Sequence, residues 1–587
     1  MFSSLIFLLS LIYHSTSFAI EVKEVEYFSK TSQWNRILYF NGAKSLVLGE
    51  RYFLAKDGSI NPASELKATL NAFHQQLKNS EGEYFQCLFP ARYKILKQKW
   101  PSYFKDLPCK ELNEWIRGID VQDTYLVFTS AYPDNPASMF GHTFLRFGRK
   151  SRGKIATTKE LLGYSVAFQA RTNPDDNPMS YTFKGLFGGY QSYPEIKPQY
   201  INIGVYNNGE SRDLWEIKLN LSEEEKELLL YHLWELSISS AFNYYFFDEN
   251  CSTQLVRLLE IIKPDMDFAS KDELFVVPQV TYREIASKIG TDEISFRPSL
   301  KRKINSQYHS LNNSHQKDVI KIIEGQKSIS AFDNVEVIDT VIDFWKFTNY
   351  KMNAKLDKRS KDLMYASLLR RSEISSTSNQ SIVQIPESEN PADGFPLSLI
   401  SLGGGADVWQ VRYRYGFHDF YDSELGFDQH SYIKFMDINF SNEKGEDLLI
   451  LDVIDILSLR SYSSLFTGLS WRGKLTYFNH DKRSGAELTA GTGLSWGSEK
   501  LQFYTLGTMN SYRFNERSET QLGLNPGFKI KFSPTLSLMI ESQLYAQRFT
   551  ASTINKLVHY QKKTTYSLEY AHSELQNDVK FSIAYYW

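Results

Sequence analysis

From about residue 396 to the end of the chain, hydrophobic and polar positions alternate with a period of two. In residues 469–477 the apolar positions are Leu469, Trp471, Leu475 and Tyr477, and the polar ones are Ser470, Arg472, Lys474 and Thr476. The alternation recurs after Leu536 and in the last residues before Trp587. Alternating segments of about ten residues, separated by turns and ending in an aromatic residue, are typical of an outer-membrane β-barrel. We therefore predict an antiparallel β-barrel of about 10–12 strands over residues 396–587.

A soluble β-sandwich with one solvated face is the alternative interpretation of this pattern. The length of the predicted strands, the aromatic C-terminus and an apolar leader favour the barrel. The leader is an apolar run from Leu5 to Tyr13, followed by the small residues Ser17 and Ala19. It is too short to span a membrane and predicts a secretory signal over residues 1–19. We expect the mature chain to lie in the outer membrane, with its N-terminal part in the periplasm.

Upstream of the barrel, the pattern predicts an α+β region. Residues 20–120 are expected to be mainly helical, with a helix starting at Asn61–Glu65, where a proline suits the first turn. Residues 121–294 are expected to form a domain of helices and short strands. The predicted strands are Thr124–Thr129, Thr143–Phe147, Tyr164–Gln169, Tyr200–Val205 and Leu214–Leu219.

Two further helices are predicted within this domain. Ser222 and Glu225 have the spacing of a capping box, which starts a helix. Apolar residues at helical spacing predict another helix over Cys251–Ile262.

Residues 295–372 are rich in Lys, Glu, Ile and Leu and predict a helical spacer. The Ser-rich residues 373–395 predict a linker before the barrel.

The net charge excludes one class of partner. The 587 residues include 66 basic and 68 acidic side chains, so nucleic acid has no electrostatic footprint here and is not an expected partner. No group of His, Cys and carboxylate residues has metal-ligand spacing, and neither a P-loop nor a GxGxxG fingerprint occurs. We expect no metal and no cofactor.

The chain has three cysteines, Cys87, Cys109 and Cys251. In an oxidising compartment two of them are expected to pair, and Cys87 with Cys109 is the economical choice because both lie in one segment. Such a disulfide closes a loop of roughly 20 residues and stabilises by about 3 kcal/mol in the chain-entropy model. Cys251 then remains a free thiol, either a nucleophile or a buried inert side chain.

The position of Cys251 favours reactivity. It follows Asn250, a good N-cap, and is expected to open a helix. Free backbone amides and the positive end of the helix dipole stabilise a thiolate there, and the same amides can hold an oxyanion. The alternative is an ordinary helix start with a packed cysteine.

His142 is the candidate base. It follows Gly141 and opens a predicted strand, from which it can reach a thiol at a neighbouring helix start. Taken alone, His142 is more simply explained as a structural histidine bonded to a loop carbonyl. Together with Cys251 it has the minimum equipment for covalent acyl transfer.

Several polar residues are candidates for supporting roles. Asn250 and Ser252 are placed to support an oxyanion, although Asn250 can also serve only as the cap. Ser138, Arg146 and Tyr164 are candidates for lining the substrate site. A third residue that orients His142 is not identifiable, and the strand Tyr164–Gln169 is the place to look for it.

Five motifs carry a resemblance to a known bacterial family. They are Cys87–Tyr93 (CLFPARY), Asn135–Arg146 (NPASMFGHTFLR), Lys184–Tyr190 (KGLFGGY), Asp213–Glu216 (DLWE) and Phe246–Ser252 (FFDENCS). The region from about Cys87 to Leu300 resembles the Lnb-type N-terminal periplasmic domain, also called DUF4105. It is similar, more distantly, to circularly permuted NlpC/P60 enzymes of the papain-like superfamily.

The resemblance implies a small antiparallel sheet with the cysteine helix packed on it, and His142 and Cys251 as the catalytic pair. The characterised branch of the family transfers an acyl chain from a lipoprotein's diacylglyceryl cysteine to its own N-terminal amine. The resemblance therefore implies a thiol acyltransferase that acts on lipid or lipoprotein acyl chains. Two alternatives stay open: a cysteine peptidase or amidase acting on peptidoglycan peptides, and a non-catalytic binding protein of the outer membrane.

Overall fold

The computed structural model describes residues 20–587 except 133–139, 150–161, 174, 273–274, 353–354, 378–382, 384–385, 428–430, 481–482, 499, 515–516, 547–549 and 574–576. The predicted signal over residues 1–19 lies outside the described residues. Helical and sheet elements form the N-terminal part, and a closed antiparallel barrel follows, so the fold is α+β as predicted.

The N-terminal region is mainly helical. Its helices are α1 (Val22–Phe28), α2 (Ser32–Ile37), α3 (Pro62–His74), α4 (Phe85–Leu88), α5 (Pro90–Lys99) and α6 (Lys110–Ile119), with a short hairpin of β1 (Phe40–Asn41) and β2 (Lys44–Ser45). The predicted start of α3 is confirmed, because the Asn61 side chain accepts a hydrogen bond from the Ser64 backbone and proline occupies the first turn.

A seven-stranded sheet forms the centre of the second region. Its strands are β3 (Val121–Thr129), β4 (His142–Arg149), β5 (Tyr164–Ala170), β6 (Tyr190–Pro198), β7 (Leu214–Leu219), β8 (Phe242–Tyr244) and β9 (Gly290–Arg297), in the order β8-β6-β5-β4-β3-β7-β9. The paired neighbours are antiparallel. The helices around the sheet are α7 (Pro178–Phe187), α8 (Gln199–Asn202), α9 (Glu223–Ser239), α10 (Cys251–Ile262) and α11 (Pro278–Ile289).

One predicted strand is wrong. Residues 200–205 lie in α8 and in the π-helix Ile203–Gly209 that continues it, and the strand of this segment is β6, immediately upstream. Tyr200 and Val205 are exposed while Ile203 and Tyr206 are buried, so the segment has a helical rather than an alternating burial pattern. The capping box of α9 is present as predicted, since Ser222 and Glu225 bond reciprocally.

The spacer is helical, with α12 (Leu300–Ser310), α13 (Asn313–Ile323), α14 (Val335–Lys351) and α15 (Lys358–Ser372) packed around their own apolar core. No helix among the described residues is long and apolar enough to cross a membrane.

The predicted barrel is confirmed and has twelve strands. They are β10 (Leu399–Gly404), β11 (Val408–His418), β12 (Ser431–Glu443), β13 (Glu446–Ser458), β14 (Ser470–His480), β15 (Arg483–Gly497), β16 (Leu501–Phe514), β17 (Arg517–Ser533), β18 (Leu536–Tyr545), β19 (Thr550–Gln561), β20 (Thr564–Ser573) and β21 (Asn577–Tyr586). Each strand pairs with the next, and β10 pairs with β21 to close the cylinder. Large apolar side chains such as Trp409, Leu475 and Phe581 are exposed on the outer wall, as lipid contact requires.

Candidate functional site

Cys251 is the first residue of α10. The Asn250 side chain caps this helix by accepting hydrogen bonds from the backbone N–H groups of Ser252 (2.9 Å) and Thr253 (3.4 Å). Its amide nitrogen donates to the carbonyl oxygens of Phe246 and Val276, at 3.1 and 2.7 Å. Both groups of the Asn250 amide are therefore committed to fixing the helix start, so Asn250 positions the thiol and has no free donor for an oxyanion.

His142 lies at the start of β4, next to the thiol. Its Nδ1 atom is 3.0 Å from Cys251 Sγ, although the two residues are 109 positions apart in the chain. Gly141 precedes it with a φ of +80°, and a Cβ at this position would lie 2.5 Å from the Phe128 ring. The turn that delivers His142 to the sulfur therefore requires glycine.

A hydroxyl pair joins the strand and the helix beside the dyad. Thr143 Oγ1 and Ser252 Oγ are 2.9 Å apart, and both side chains are buried. Because Thr143 follows His142 and Ser252 follows Cys251, this bond fixes the register of β4 against α10. Ser252 Oγ is also 3.9 Å from Cys251 Sγ, so it supports the sulfur as well as the helix.

Burial sets the protonation states of the dyad. Cys251 is 4% exposed, and this desolvation raises the pKa of its thiol above the ordinary value. Hydrogen bonds from the Thr143 and Ser252 backbones and from the Ser252 hydroxyl oppose the rise but do not cancel it. Burial, with a smaller contribution from the Arg212 charge, lowers the pKa of His142 to about 3. At neutral pH the resting pair is a thiol hydrogen-bonded to a neutral imidazole.

A cavity of about 370 Å³ opens in front of the sulfur. One part of its wall is aromatic, and the aromatic residues are Phe140, Phe168, Tyr181, Tyr206, Tyr244, Phe246, Phe247, Phe275 and Phe417. The polar residues Gln169, Glu210 and Arg212 also line it, with Gln169 and Arg212 next to Tyr206. The site can thus hold an apolar chain beside a polar group.

Tyr206 and Arg212 are cavity residues that the sequence did not single out, whereas Gln169 belongs to the strand Tyr164–Gln169, where a third residue was expected. The Tyr206 ring lies 5.5 Å from the His142 ring, and its hydroxyl accepts a hydrogen bond of 2.7 Å from Gln169 Nε2. The Arg212 guanidinium donates to the carbonyl oxygens of Thr129 and Ser130. A π-helix carries Tyr206 into the site, and this distortion of a helix has no local sequence signature.

Two of the three predicted lining residues lie away from the cavity. Arg146 is buried in an ion pair with Glu216 (2.7 Å) and stacks on the Tyr125 ring, so its role is structural. Tyr164 lies at the far end of β5, opposite Phe147, and does not line the cavity. Alternation along a strand indicates the face of a side chain but not its distance from the catalytic end, so the sequence could not exclude Arg146 on β4 or Tyr164 on β5. Ser138 lies outside the described residues.

Cys87 and Cys109 form a disulfide, and Cys251 is a free thiol.

The imidazole Nε2 of His142 is buried and has no hydrogen-bond partner among the described residues. Nor does any group of three or more His, Cys, Asp or Glu residues suited to a metal ion occur in the part of the chain that the structure describes.

Three family models match successive parts of the chain. Residues 111–288 match the Lnb N-terminal periplasmic domain, so the dyad lies within that domain. Residues 26–99 and 388–585 match two domains of unknown function, DUF7843 and DUF7840. No curated protein matches the chain.

Solved structures similar to the barrel include two porins and one further outer-membrane protein. The KdgM porin is 8% identical, with 32% of this chain and 98% of that chain covered and a TM-score of 0.23. The NanC porin is 8% identical, with 32% and 98% covered and a TM-score of 0.22. The Acinetobacter baumannii outer membrane protein Omp33 is 9% identical, with 33% and 98% covered and a TM-score of 0.22.

The chain thus combines a periplasmic domain with an outer-membrane barrel. The match to a periplasmic domain places the N-terminal part in the periplasm. The closed barrel with its apolar outer wall places the C-terminal part in the outer membrane.

Proposed function

We propose that the protein is a thiol acyltransferase that faces the periplasm from the outer membrane and acts on acyl chains of lipids or lipoproteins. The observation that carries the proposal is the 3.0 Å contact between His142 Nδ1 and Cys251 Sγ at the N-terminus of α10. A nucleophile within hydrogen-bond reach of a base is the arrangement that covalent acyl transfer requires. The match of residues 111–288 to the Lnb N-terminal periplasmic domain supports the same chemistry.

The mechanism begins with proton transfer from the Cys251 thiol to His142 Nδ1 as the sulfur attacks the ester carbonyl. The backbone N–H of Thr143 and the positive end of the α10 dipole stabilise the oxyanion that forms. The tetrahedral intermediate collapses to a thioester, and the leaving alcohol takes the proton from His142. An amine or water then attacks the thioester, transfers its proton through His142 and regenerates the thiol.

Tyr206 is assigned a supporting part in this mechanism. Gln169 donates to its oxygen, so the Tyr206 hydroxyl proton points elsewhere and is available to the reacting carbonyl. Burial raises the pKa of Tyr206, with the Cys251 charge among the smaller causes, so it remains a protonated donor. Its role is that of a side-chain donor to the oxyanion.

The direct test is the mass of the protein and of its candidate substrates. Purified full-length protein with a long-chain phospholipid or a diacylated lipoprotein should gain one acyl mass, located on Cys251 by peptide mapping. Cys251→Ala and His142→Ala should gain none, because the first lacks the nucleophile and the second the base. The proposal fails if outer-membrane lipoproteins and phospholipids carry identical acyl chains in wild-type and Cys251→Ala cells and no adduct forms in vitro.

A cysteine amidase acting on peptidoglycan peptides is the second candidate. Gln169, Glu210 and Arg212 favour it, because they make part of the cavity lining polar, as the hydrogen-bonding groups of a peptide require. It predicts Cys251-dependent cleavage of muropeptides and no long-chain adduct. A muropeptide digest run beside the lipid assay separates the two functions.

A further inference from the structure

The outer wall of the barrel can be identified next to the N-terminal domain by alternation along β12. Lys434 points into the lumen, where it pairs with Asp452 (2.9 Å) and Asp455 (3.2 Å). The next residue, Phe435, therefore points outward, and so does its cross-strand partner Ile454, which precedes Asp455. Phe435 and Ile454 are thus part of the outer wall of the barrel.

The N-terminal domain packs on this outward surface. The rings of Phe247 and Phe275 lie 4.7 and 4.8 Å from the ring of Phe435. Phe275 also contacts Tyr415 of β11, at 5.1 Å. Val277 belongs to the same apolar cluster as Ile454 and Phe435. The junction between domain and barrel is therefore an aromatic seam, which we define as Phe247, Phe275, Tyr415 and Phe435.

The aromatic seam is also the edge of the candidate active site. Phe247 and Phe275 line the cavity that contains Cys251 and His142. Phe435 does not line the cavity, but it contacts both residues that do. The apolar wall of the cavity is thus continuous with the lipid-facing wall of the barrel.

The seam lies at the level of one leaflet. Leu399, the first residue of the barrel, pairs with Tyr586 near its end, so both lie at the end that faces the N-terminal domain. Strand β12 starts at this same end with Ser431, so Phe435 lies close to the start of the strand. Leu475, the partner of Ile454 on β14, is apolar and exposed at this height, as lipid contact in the nearest leaflet requires, whereas the dyad lies in the periplasmic domain.

We propose that the acyl chain reaches Cys251 sideways from the membrane, along the outer wall of β11 and β12 and between the rings of the aromatic seam. This inference rests on the proposed acyltransferase function and specifies its substrate as a long-chain lipid or lipoprotein inserted in the adjacent leaflet. The headgroup stays beside the polar residues Gln169 and Arg212 while the chain follows the aromatic wall.

The test compares two acyl donors on full-length protein reconstituted in phospholipid vesicles. One donor is a long-chain phospholipid of the same bilayer, and the other is a water-soluble short-chain p-nitrophenyl ester. Phe435→Arg places a charge on the route, and Phe435→Leu keeps the route apolar. Phe503→Arg is the control, because Phe503 is on the outer wall near the start of β16, at the same end of the barrel, and is exposed away from the aromatic seam.

Phe435→Arg should lower the ratio of long-chain to short-chain acylation rates at least about tenfold, since a charge opposes passage of an apolar chain. Phe503→Arg and Phe435→Leu should keep the wild-type ratio. An unchanged ratio in Phe435→Arg overturns the lateral route, and so does an equal fall in Phe503→Arg. If instead Cys251→Ala reacts with the short-chain ester as fast as wild type, it is the proposed function that fails. Heat-modifiable migration in gels verifies that each variant has a folded barrel.

Discussion

At the scale of single residues, the site combines two groups that burial keeps uncharged. The pKa of the Cys251 thiol is raised and the pKa of His142 is lowered to about 3, both mainly by desolvation. A resting thiolate–imidazolium pair is therefore disfavoured, and the proton moves only as the sulfur attacks. This arrangement protects the thiol from oxidation in the periplasm, because the thiolate is the species that oxidants and alkylating agents attack.

The neutral thiol predicts the pH dependence of Cys251 alkylation. The rate with iodoacetamide follows the thiolate fraction, so a raised pKa means that the rate rises steadily from about pH 6 to about pH 9 without a plateau. Intact mass after timed labelling measures the rate, and Cys251→Ala is the control, because Cys87 and Cys109 are paired. A plateau already below about pH 8 contradicts the neutral resting pair.

Tyr206→Phe removes one hydroxyl from the cavity and should slow acylation of Cys251 by roughly tenfold to a hundredfold with little change in KM, since an oxyanion donor acts on the transition state. Gln169→Ala should have a smaller effect in the same direction, because it leaves the hydroxyl in place. Tyr193→Phe is the matched control, since the Tyr193 hydroxyl bonds only Gln191 among the described residues and lies outside the cavity. Equal rates for Tyr206→Phe and Tyr193→Phe exclude the role given to Tyr206.

At the scale of secondary-structure elements, the sequence predicts features that depend on neighbouring residues, but not features that depend on residues far apart in the chain. The caps at Asn61, Ser222 and Asn250 depend on residues within three or four positions, so the sequence identifies them directly. The alternation of the barrel strands is equally local. The π-helix Ile203–Gly209 has no such signal, because its extra residue per turn is stabilised by burial of Tyr206 against Phe144.

In the candidate site, too, the sequence identifies residue types, but only the fold sets their distances and partners. The sequence pointed to the residue types at Cys251 and His142, and the fold alone sets the 3.0 Å between them. Arg146 has a charge that looked available in the sequence, but Glu216, 70 positions later, pairs with it. The cavity wall at Phe417 comes from the barrel, so no reading of the N-terminal domain in isolation could find it.

A buried ion-pair network joins three helices of the N-terminal part. Arg92 in α5 bonds Glu65 of α3 at 2.8 Å and the Tyr52 carbonyl at 2.7 Å, and its backbone N–H donates to Glu235 of α9 at 2.9 Å. All three ionised side chains are fully buried. The network therefore depends on every member being present.

Arg92→Met should lower the free energy of unfolding by about 3–5 kcal/mol, because it leaves two carboxylates buried without their cation. Urea unfolding of the N-terminal part, followed by tryptophan fluorescence, measures the change. Lys97→Met is the control in the same helix, since its partner Asp106 has a side chain that is 71% exposed and the pair should contribute less than about 1 kcal/mol. Similar losses in the two variants contradict the network's role.

At the scale of the whole molecule, one of the barrel's own connections occupies part of the barrel interior. The connection between β11 and β12 folds back, and Phe420 packs against Tyr432, Tyr504 and Met539. These three residues belong to β12, β16 and β18, which are separated around the cylinder, so Phe420 can contact them only from within the lumen. The connections at the opposite end of the barrel are only a few residues long.

Ion pairs hold this lumenal connection, here defined as residues 419–427, in place. Arg414 bonds Asp422 at 2.6 Å and Asp419 at 3.3 Å, and the Tyr586 hydroxyl donates to Asp422 at 2.8 Å. Lys529 donates to the Phe420 carbonyl at 3.0 Å and pairs with Glu424. Moving the connection out of the lumen would leave buried charges without partners, which costs free energy. The ion pairs therefore hold the connection inside the barrel.

The lumenal connection predicts that the wild-type protein conducts no ions in planar lipid bilayers, despite its closed barrel. Replacing Asp419 and Asp422 by Ala leaves Arg414 without a carboxylate and should release the connection, so that stepwise conductance appears. Asp447→Ala, next to the turn at the opposite end of the barrel, is the control and should remain closed, because Asp447 bonds only Asn442 among the described residues. Open channels in the wild type would show that the connection does not fill the pore. Because the candidate site lies outside the lumen, the proposed acylation of Cys251 should be the same whether the pore is open or closed.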